Sequence, residues 1–349
     1  MTSIATTERQ RVMTLRRALP AVLAVLLASA LTACGEREEP SGDPGSEPVE
    51  LVLDRPPSAN HAGIYAAKAG GSFEQAGLDV RLSTPSDPSE PLELVSSGRA
   101  DLAISHEPEL LLERAKGAKL VAVGALVQTP LTSIISIGDP EITEPGQLED
   151  RKVGTSGIAY QDAYLKAIAE RAGIAPERVR SLDVGFKLAP ALLSGRIDAA
   201  LGAYWNIEGV ELRRRARSPR ILRMSQVGIP AYNELVIVAR EEDVRKRGAL
   251  LRRFMRALAV STDALQDDPK AGVDALVKAN PDLDRGLQLA QVTATLPAFQ
   301  PEDEDKPFGY LDPAAWKRFT QWMLDNDLLA SPAGANRALT NEFLPGEGI

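Results

Sequence analysis

The chain has 349 residues, 44% of them hydrophobic, and a formal net charge of −8; it is long enough for two ordinary domains and too acidic to favour a nucleic-acid partner. One cysteine, Cys34, and two histidines, His61 and His106, leave no material for a disulfide, a cysteine-rich cluster or a multi-histidine metal site. No metal site, cofactor or catalytic nucleophile–base pair is expected.

The first 33 residues read as an export signal. Arg11, Arg16 and Arg17 precede the apolar run Ala18–Leu31, which only Pro20 and Ser29 interrupt, and small residues lead into Cys34. The run is short for a membrane span. The ending Leu31-Thr32-Ala33-Cys34 resembles a bacterial lipobox, which implies cleavage before Cys34 and acylation of its thiol. Such lipidation would leave the mature chain outside the cytoplasm, anchored to the membrane through Cys34. An ordinary signal with a chance cysteine is the alternative. Residues 34–48 hold almost no apolar side chain and read as a disordered tether. Loss of the leader removes four arginines and one glutamate and deepens the negative charge.

From Val49 onward, short apolar strands alternate with helices. Strands are expected at 49–53, 78–82, 100–105 and 119–127, with helices at 61–68, 91–97 and 108–115 between them. The rhythm then repeats, with strands near 152–154, 179–184 and 197–202 and helices at 160–172 and 188–194. Residues 241–329 read as nearly continuous helix, punctuated by Pro269, Pro281, Pro301 and Pro313. The pattern predicts an α/β chain with mainly parallel sheets and a helical C-terminal part.

Ser97-Gly98-Arg99-Ala100-Asp101 echoes Ser194-Gly195-Arg196-Ile197-Asp198, each between a helix end and an apolar strand. The first strand ends at Ser105-His106-Glu107 and the second at Tyr204-Trp205-Asn206. Two facing α/β halves would line a cleft from both sides, because ligands of open α/β sheets bind beyond the carboxyl ends of strands. Any α/β protein repeating helix, glycine and strand is the competing explanation. Runs 131–137 and 235–239 are expected to cross between the halves. The division expected is 49–135 with 238–349 as a discontinuous lobe 1, and 136–237 as lobe 2.

The residues 60–68 (Asn-His-Ala-Gly-Ile-Tyr-Ala-Ala-Lys) and 73–80, with 104–111 and 202–208, resemble the type II periplasmic binding fold. More narrowly they resemble its branch for thiamine pyrimidine precursors, the NMT1/THI5-like branch, over roughly residues 50–240. The resemblance implies a formylamino- or hydroxymethyl-aminopyrimidine ligand, an ABC permease with its ATPase as partners, and a monomer that does no chemistry. By matching positions it implies Asn60, Tyr65, Ser105, Tyr204, Asn206 and Glu208 as pocket residues, then Glu107, Trp205, Asn233 and Glu234. A carboxylate would accept from the amine of such a ring, and an aromatic side chain would stack on its face. Packing competes with this role for Tyr65, interior support for Trp205, and a solvated strand end for Glu234. The chain departs from the branch at Arg55 and Ser58, where a tryptophan and an asparagine are usual, and at His106 and Glu107, where tyrosine and glutamine are.

A sulfonate, nitrate or riboflavin-like solute on the same fold is the first rival, though the acidic candidates oppose an anion. A pyrimidine synthase-like enzyme is the second; the resemblance gives that enzyme a cysteine-rich iron site, and no cysteine follows Cys34. A sensor or adhesin reusing the fold is the third.

Overall fold

The computed structural model describes residues 45–138, 141–332 and 335–346. The expected signal and Cys34 lie outside them. The first four strands are β1 (Glu47–Val52), β2 (Leu78–Ser83), β3 (Leu102–Ser105) and β4 (Leu120–Val127). Helices α1 (Ala62–Ala69), α2 (Ser72–Gln75), α3 (Glu90–Ser96) and α4 (Glu107–Ala115) fall between them. The second unit has β5 (Thr132–Ser136), β6 (Lys152–Thr155), β7 (Arg180–Asp183), β8 (Ala199–Tyr204) and β9 (Arg220–Arg223). It carries α5 (Ala159–Arg171), α6 (Leu188–Leu193) and α7 (Glu208–Arg214). Strand β10 (Leu235–Arg240) leads into α8 (Glu241–Lys246), α9 (Gly248–Asp267), α10 (Pro269–Ala279), α11 (Arg285–Phe299) and α12 (Pro313–Asp325). No described helix is long and apolar enough to cross a membrane.

The strands form two five-stranded sheets of the same design. The orders are β2-β1-β3-β10-β4 and β7-β6-β8-β5-β9. In each, the pairs among the first three strands are parallel and one returning strand runs antiparallel to both its neighbours. That returning strand is the one that has just arrived from the other sheet. The sheets are therefore mixed, and the passages between them lie just before β5 and β10 rather than along those runs. Residues 132–135 accordingly pair in the second sheet and 235–237 in the first.

The sequence echo has a structural cause. Gly98 and Gly195 take left-handed φ of 77° and 70° where a helix must stop and turn into a strand. Asp101 and Asp198 follow, and each carboxylate accepts a backbone N–H from the neighbouring strand, from Glu50 at 2.9 Å and from Lys152 at 2.8 Å. Both aspartates pin a strand start.

Strand β1 begins two residues earlier than the tether reading allowed. The Glu47 N–H donates to Gly77, and the Glu47 carboxylate pairs with Arg253 at 2.6 Å. Pro48 lacks an N–H but is paired only with β2 there, since β3 joins at Leu51. Helices α10, α11 and α12 begin at Asp268, Asp284 and Asp312, each accepting an N–H of its first turn. Helix α1 packs so closely on α9 that a Cβ at Gly63 would lie 2.2 Å from Thr262 Oγ1.

Candidate functional site

The carboxyl ends of β1, β3 and β8 converge, and the polar residues just beyond them meet in one buried cluster. Asp54 and Arg55 follow β1, His106 follows β3, and Tyr204 ends β8. Arg55 Nη2 lies 2.7 Å from Glu208 Oε1, with its guanidinium 4.9 Å from the Tyr204 ring centre. The other Glu208 oxygen accepts the Tyr204 N–H at 2.7 Å. His106 Nε2 is 2.9 Å from the Tyr204 hydroxyl, so the two sheets touch through that pair as well.

Below this lies an amide contact. Asn206 Nδ2 donates to Asn60 Oδ1 at 2.7 Å and to Thr295 Oγ1 at 2.6 Å, bringing α11 into the site. Asn60 Nδ2, Asn206 Oδ1 and Ser58 Oγ are buried with no partner among the described residues. The two amides that touch thus each keep one unused polar atom, a donor on Asn60 and an acceptor on Asn206.

Electrostatics sort the titratable groups. Burial would raise the Asp54 carboxyl, but the His61 ring 2.7 Å away and the charges of His106 and Arg55 hold it below its usual value. Burial would lower the His106 imidazole; the hydrogen bond and charge of Glu109, with Glu234 and Asp54, raise it instead. Burial pushes the Glu107 carboxyl well up against the opposing Asn233 N–H bond. The Arg55 guanidinium is raised despite burial, because Glu208, Tyr204 and Asp54 surround it.

The expected site residues divide into groups. Asn60, Tyr204, Asn206 and Glu208 come together in the cluster. Ser105 adjoins it and donates to Glu109 at 2.6 Å. Tyr65 lies inside α1 and packs in the apolar core. Trp205 donates to Pro130 O at 3.2 Å, and the Arg223 guanidinium covers its ring at 4.1 Å. Glu234 is fully buried and committed to the crossings: it accepts Leu131 N–H, Thr132 N–H, Thr132 Oγ1 and the Tyr232 hydroxyl. Glu107 accepts the Asn233 N–H at 2.7 Å, and both line a separate cavity of about 410 Å³ with Gln128, Tyr310 and Arg318.

Residues not foreseen are Asp54, His61, Glu109, Tyr160 and Thr295. The Tyr160 ring stands 5.4 Å from that of His106. Asp54 adjoins Arg55, which the sequence had marked as a departure, and that was the available signal. Thr295 reaches the cluster from 89 residues beyond Asn206, and nothing local announces it.

Comparison with known proteins follows the same lines. Residues 58–272 match the model of the family described as NMT1/THI5 like. The formylaminopyrimidine-binding protein of Halalkalibacterium halodurans is 30% identical over 322 residues, 92% of this chain and 98% of that one. A 4-amino-5-hydroxymethyl-2-methylpyrimidine phosphate synthase of Saccharomyces cerevisiae is 25% identical over 70% of this chain and 75% of its own. Among solved structures, the alkanesulfonate-binding protein of Xanthomonas axonopodis pv. citri superposes with a TM-score of 0.65 at 17% identity, covering 86% of this chain and 99% of that one. The architecture is thus the two-lobed fold of periplasmic solute-binding proteins, with its cleft between the sheets. From the match of its central 215 residues and the full-length likeness to a binding protein, the chain belongs to the NMT1/THI5 like family.

Proposed function

We propose that the chain is the solute-binding subunit of an ABC importer and takes a thiamine pyrimidine precursor, formylaminopyrimidine or hydroxymethylpyrimidine, between its two lobes. The observation that carries this reading is the buried Glu208 carboxylate beside the Tyr204 ring, on the side of the second sheet that faces Asp54 and Arg55 of the first. An aminopyrimidine offers an exocyclic amine beside a ring nitrogen, with a flat face. Glu208 would accept from the amine, a charge-assisted bond worth about 1.5–3 kcal/mol. The unused Asn60 Nδ2 and Asn206 Oδ1 supply a further donor and acceptor of the same complementary kind. The 30% identical relative is named for binding such a ring, which supports the class of solute.

The reading is of a binding protein rather than an enzyme. The synthases of yeast are more distant, and this chain has no cysteine beyond Cys34. We place it outside the cytoplasm, held to the membrane by acylated Cys34 and acting as a monomer with a permease and its ATPase.

Ligand-linked melting tests the proposal. A ligand at about a hundred times its Kd adds about 2.7 kcal/mol, or roughly 4–5 °C for a folded chain of about 300 residues. Hydroxymethylpyrimidine and formylaminopyrimidine should raise the midpoint of the wild type and leave Glu208→Ala unmoved. A wild type that neither compound stabilises would remove the pyrimidine reading.

A further inference from the structure

We propose that the solute taken by this site carries a negative charge in addition to its aminopyrimidine edge, and that Arg55 is the residue that selects for that charge. The inference rests on the pyrimidine reading above and carries it beyond the two neutral precursors named there, to an anionic aminopyrimidine, a phosphomonoester or a carboxylate.

Arg55 already occupies the two features that a solute ring would use. Its guanidinium holds one oxygen of Glu208 at 2.7 Å and stands 4.9 Å from the Tyr204 ring centre. Those are the carboxylate and the aromatic face that the ring of the solute would use. A bound ring therefore displaces Arg55 from at least one of them. Among the described residues, Arg55–Glu208 is also the charged pair that joins the two lobes; the remaining pairs stay within one lobe.

Charge accounting then constrains the solute. The Arg55 side chain is 13% exposed, and a guanidinium does not give up its proton. A buried cation stripped of its partner is strongly disfavoured. Glu208 is the partner while the pair is intact. Once the amine of a solute engages Glu208, the nearby carboxylates are already committed. Asp54 holds the His61 ring at 2.7 Å. Glu109 holds Ser105 and His106. Glu234 accepts four donors from the crossings. Glu107 faces Asn233 at the other cavity. The displaced guanidinium keeps the charge of neighbouring Asp54 but loses the one carboxylate that bonds it directly, and an anion that arrives with the solute would replace that bond, the planar guanidinium fork suiting a phosphate or carboxylate.

Calorimetric titration at low salt tests this with three probes: hydroxymethylpyrimidine, its phosphomonoester, and 4-amino-2-methylpyrimidine-5-carboxylate. At least one anion should bind the wild type about tenfold more tightly than the neutral alcohol. In Arg55→Gln that preference should shrink to within about threefold, while the neutral alcohol binds more tightly because Glu208 is released. Binding of the alcohol by Arg55→Gln also shows that the variant is folded; should it not fold, the wild-type comparison alone decides. A wild type that binds the alcohol at least as tightly as both anions overturns the role of Arg55 and leaves the pyrimidine reading standing. A preference that survives unchanged in Arg55→Gln overturns the assignment to Arg55. Failure of all three probes to bind overturns this inference, and failure of formylaminopyrimidine beside them overturns the pyrimidine reading as well.

Discussion

At Glu208 a single carboxylate has two tasks, holding the Tyr204 N–H and neutralising Arg55. Removing one member of a buried ion pair leaves the other uncompensated, at a cost of about 3–5 kcal/mol. Glu208→Ala should therefore lose stability of that order in urea unfolding, while Arg55→Leu with Glu208→Leu loses markedly less. An additive loss in the double variant would show that the pair is not coupled. Glu107 makes the opposite prediction. Its folded carboxyl titrates well above the ordinary value of 4.5 because burial penalises its charge, so its contribution is present below that value and fades as pH rises. Glu107→Gln keeps the acceptor for the Asn233 N–H and has no charge to desolvate. It should match the wild type near pH 4 and become the more stable of the two towards pH 8; a constant difference across that range would contradict the assignment. His106 is raised from its ordinary value of 6.5 by Glu109, so its contribution is full below that value and is lost at higher pH. His106→Gln should flatten the fall in stability above pH 6.5 that the wild type shows.

At the scale of elements, the contact of α1 with α9 is the tightest test of packing. A methyl at Gly63 would collide with Thr262, whose own hydroxyl has no partner among the described residues. Gly63→Ala should cost about 1–3 kcal/mol, the usual penalty of overpacking. Adding Thr262→Ala should restore most of it, since no hydrogen bond is lost. Legibility in the sequence divides at the same scale. Strands such as Leu120–Val127 are continuous apolar runs buried on both faces, and each declared itself from composition. Strand β9, Arg220-Ile-Leu-Arg, is short, half exposed and follows a run of arginines, so its pattern carried no signal. Helix α7 is similarly masked by charge, although its first residue, Glu208, was read as a site residue.

The whole molecule explains what remained hidden in the site. Asn60, Tyr204, Asn206 and Glu208 sit in recognisable local motifs at the ends of elements, and the two lobes bring them together. Thr295 and the Asp54–His61 pair are set by where helices and strand ends meet across the fold, and local patterning does not encode that. Glu107 and Asn233 instead line a separate cavity, to which both crossings contribute through Gln128, Thr129, Ala231 and Tyr232. Closure of such lobes about their crossings would trap a solute on residues of both. In the proposed function this closure is made on an aminopyrimidine held by Glu208. Calorimetric titration of the soluble chain from Gly35 onward tests it most directly, with formylaminopyrimidine and hydroxymethylpyrimidine run beside thiamine, riboflavin and taurine. A pyrimidine should bind at roughly micromolar Kd, about −8 kcal/mol, with binding abolished by Glu208→Ala and absent for the other three. Heat from taurine or riboflavin, with none from either pyrimidine, would contradict it.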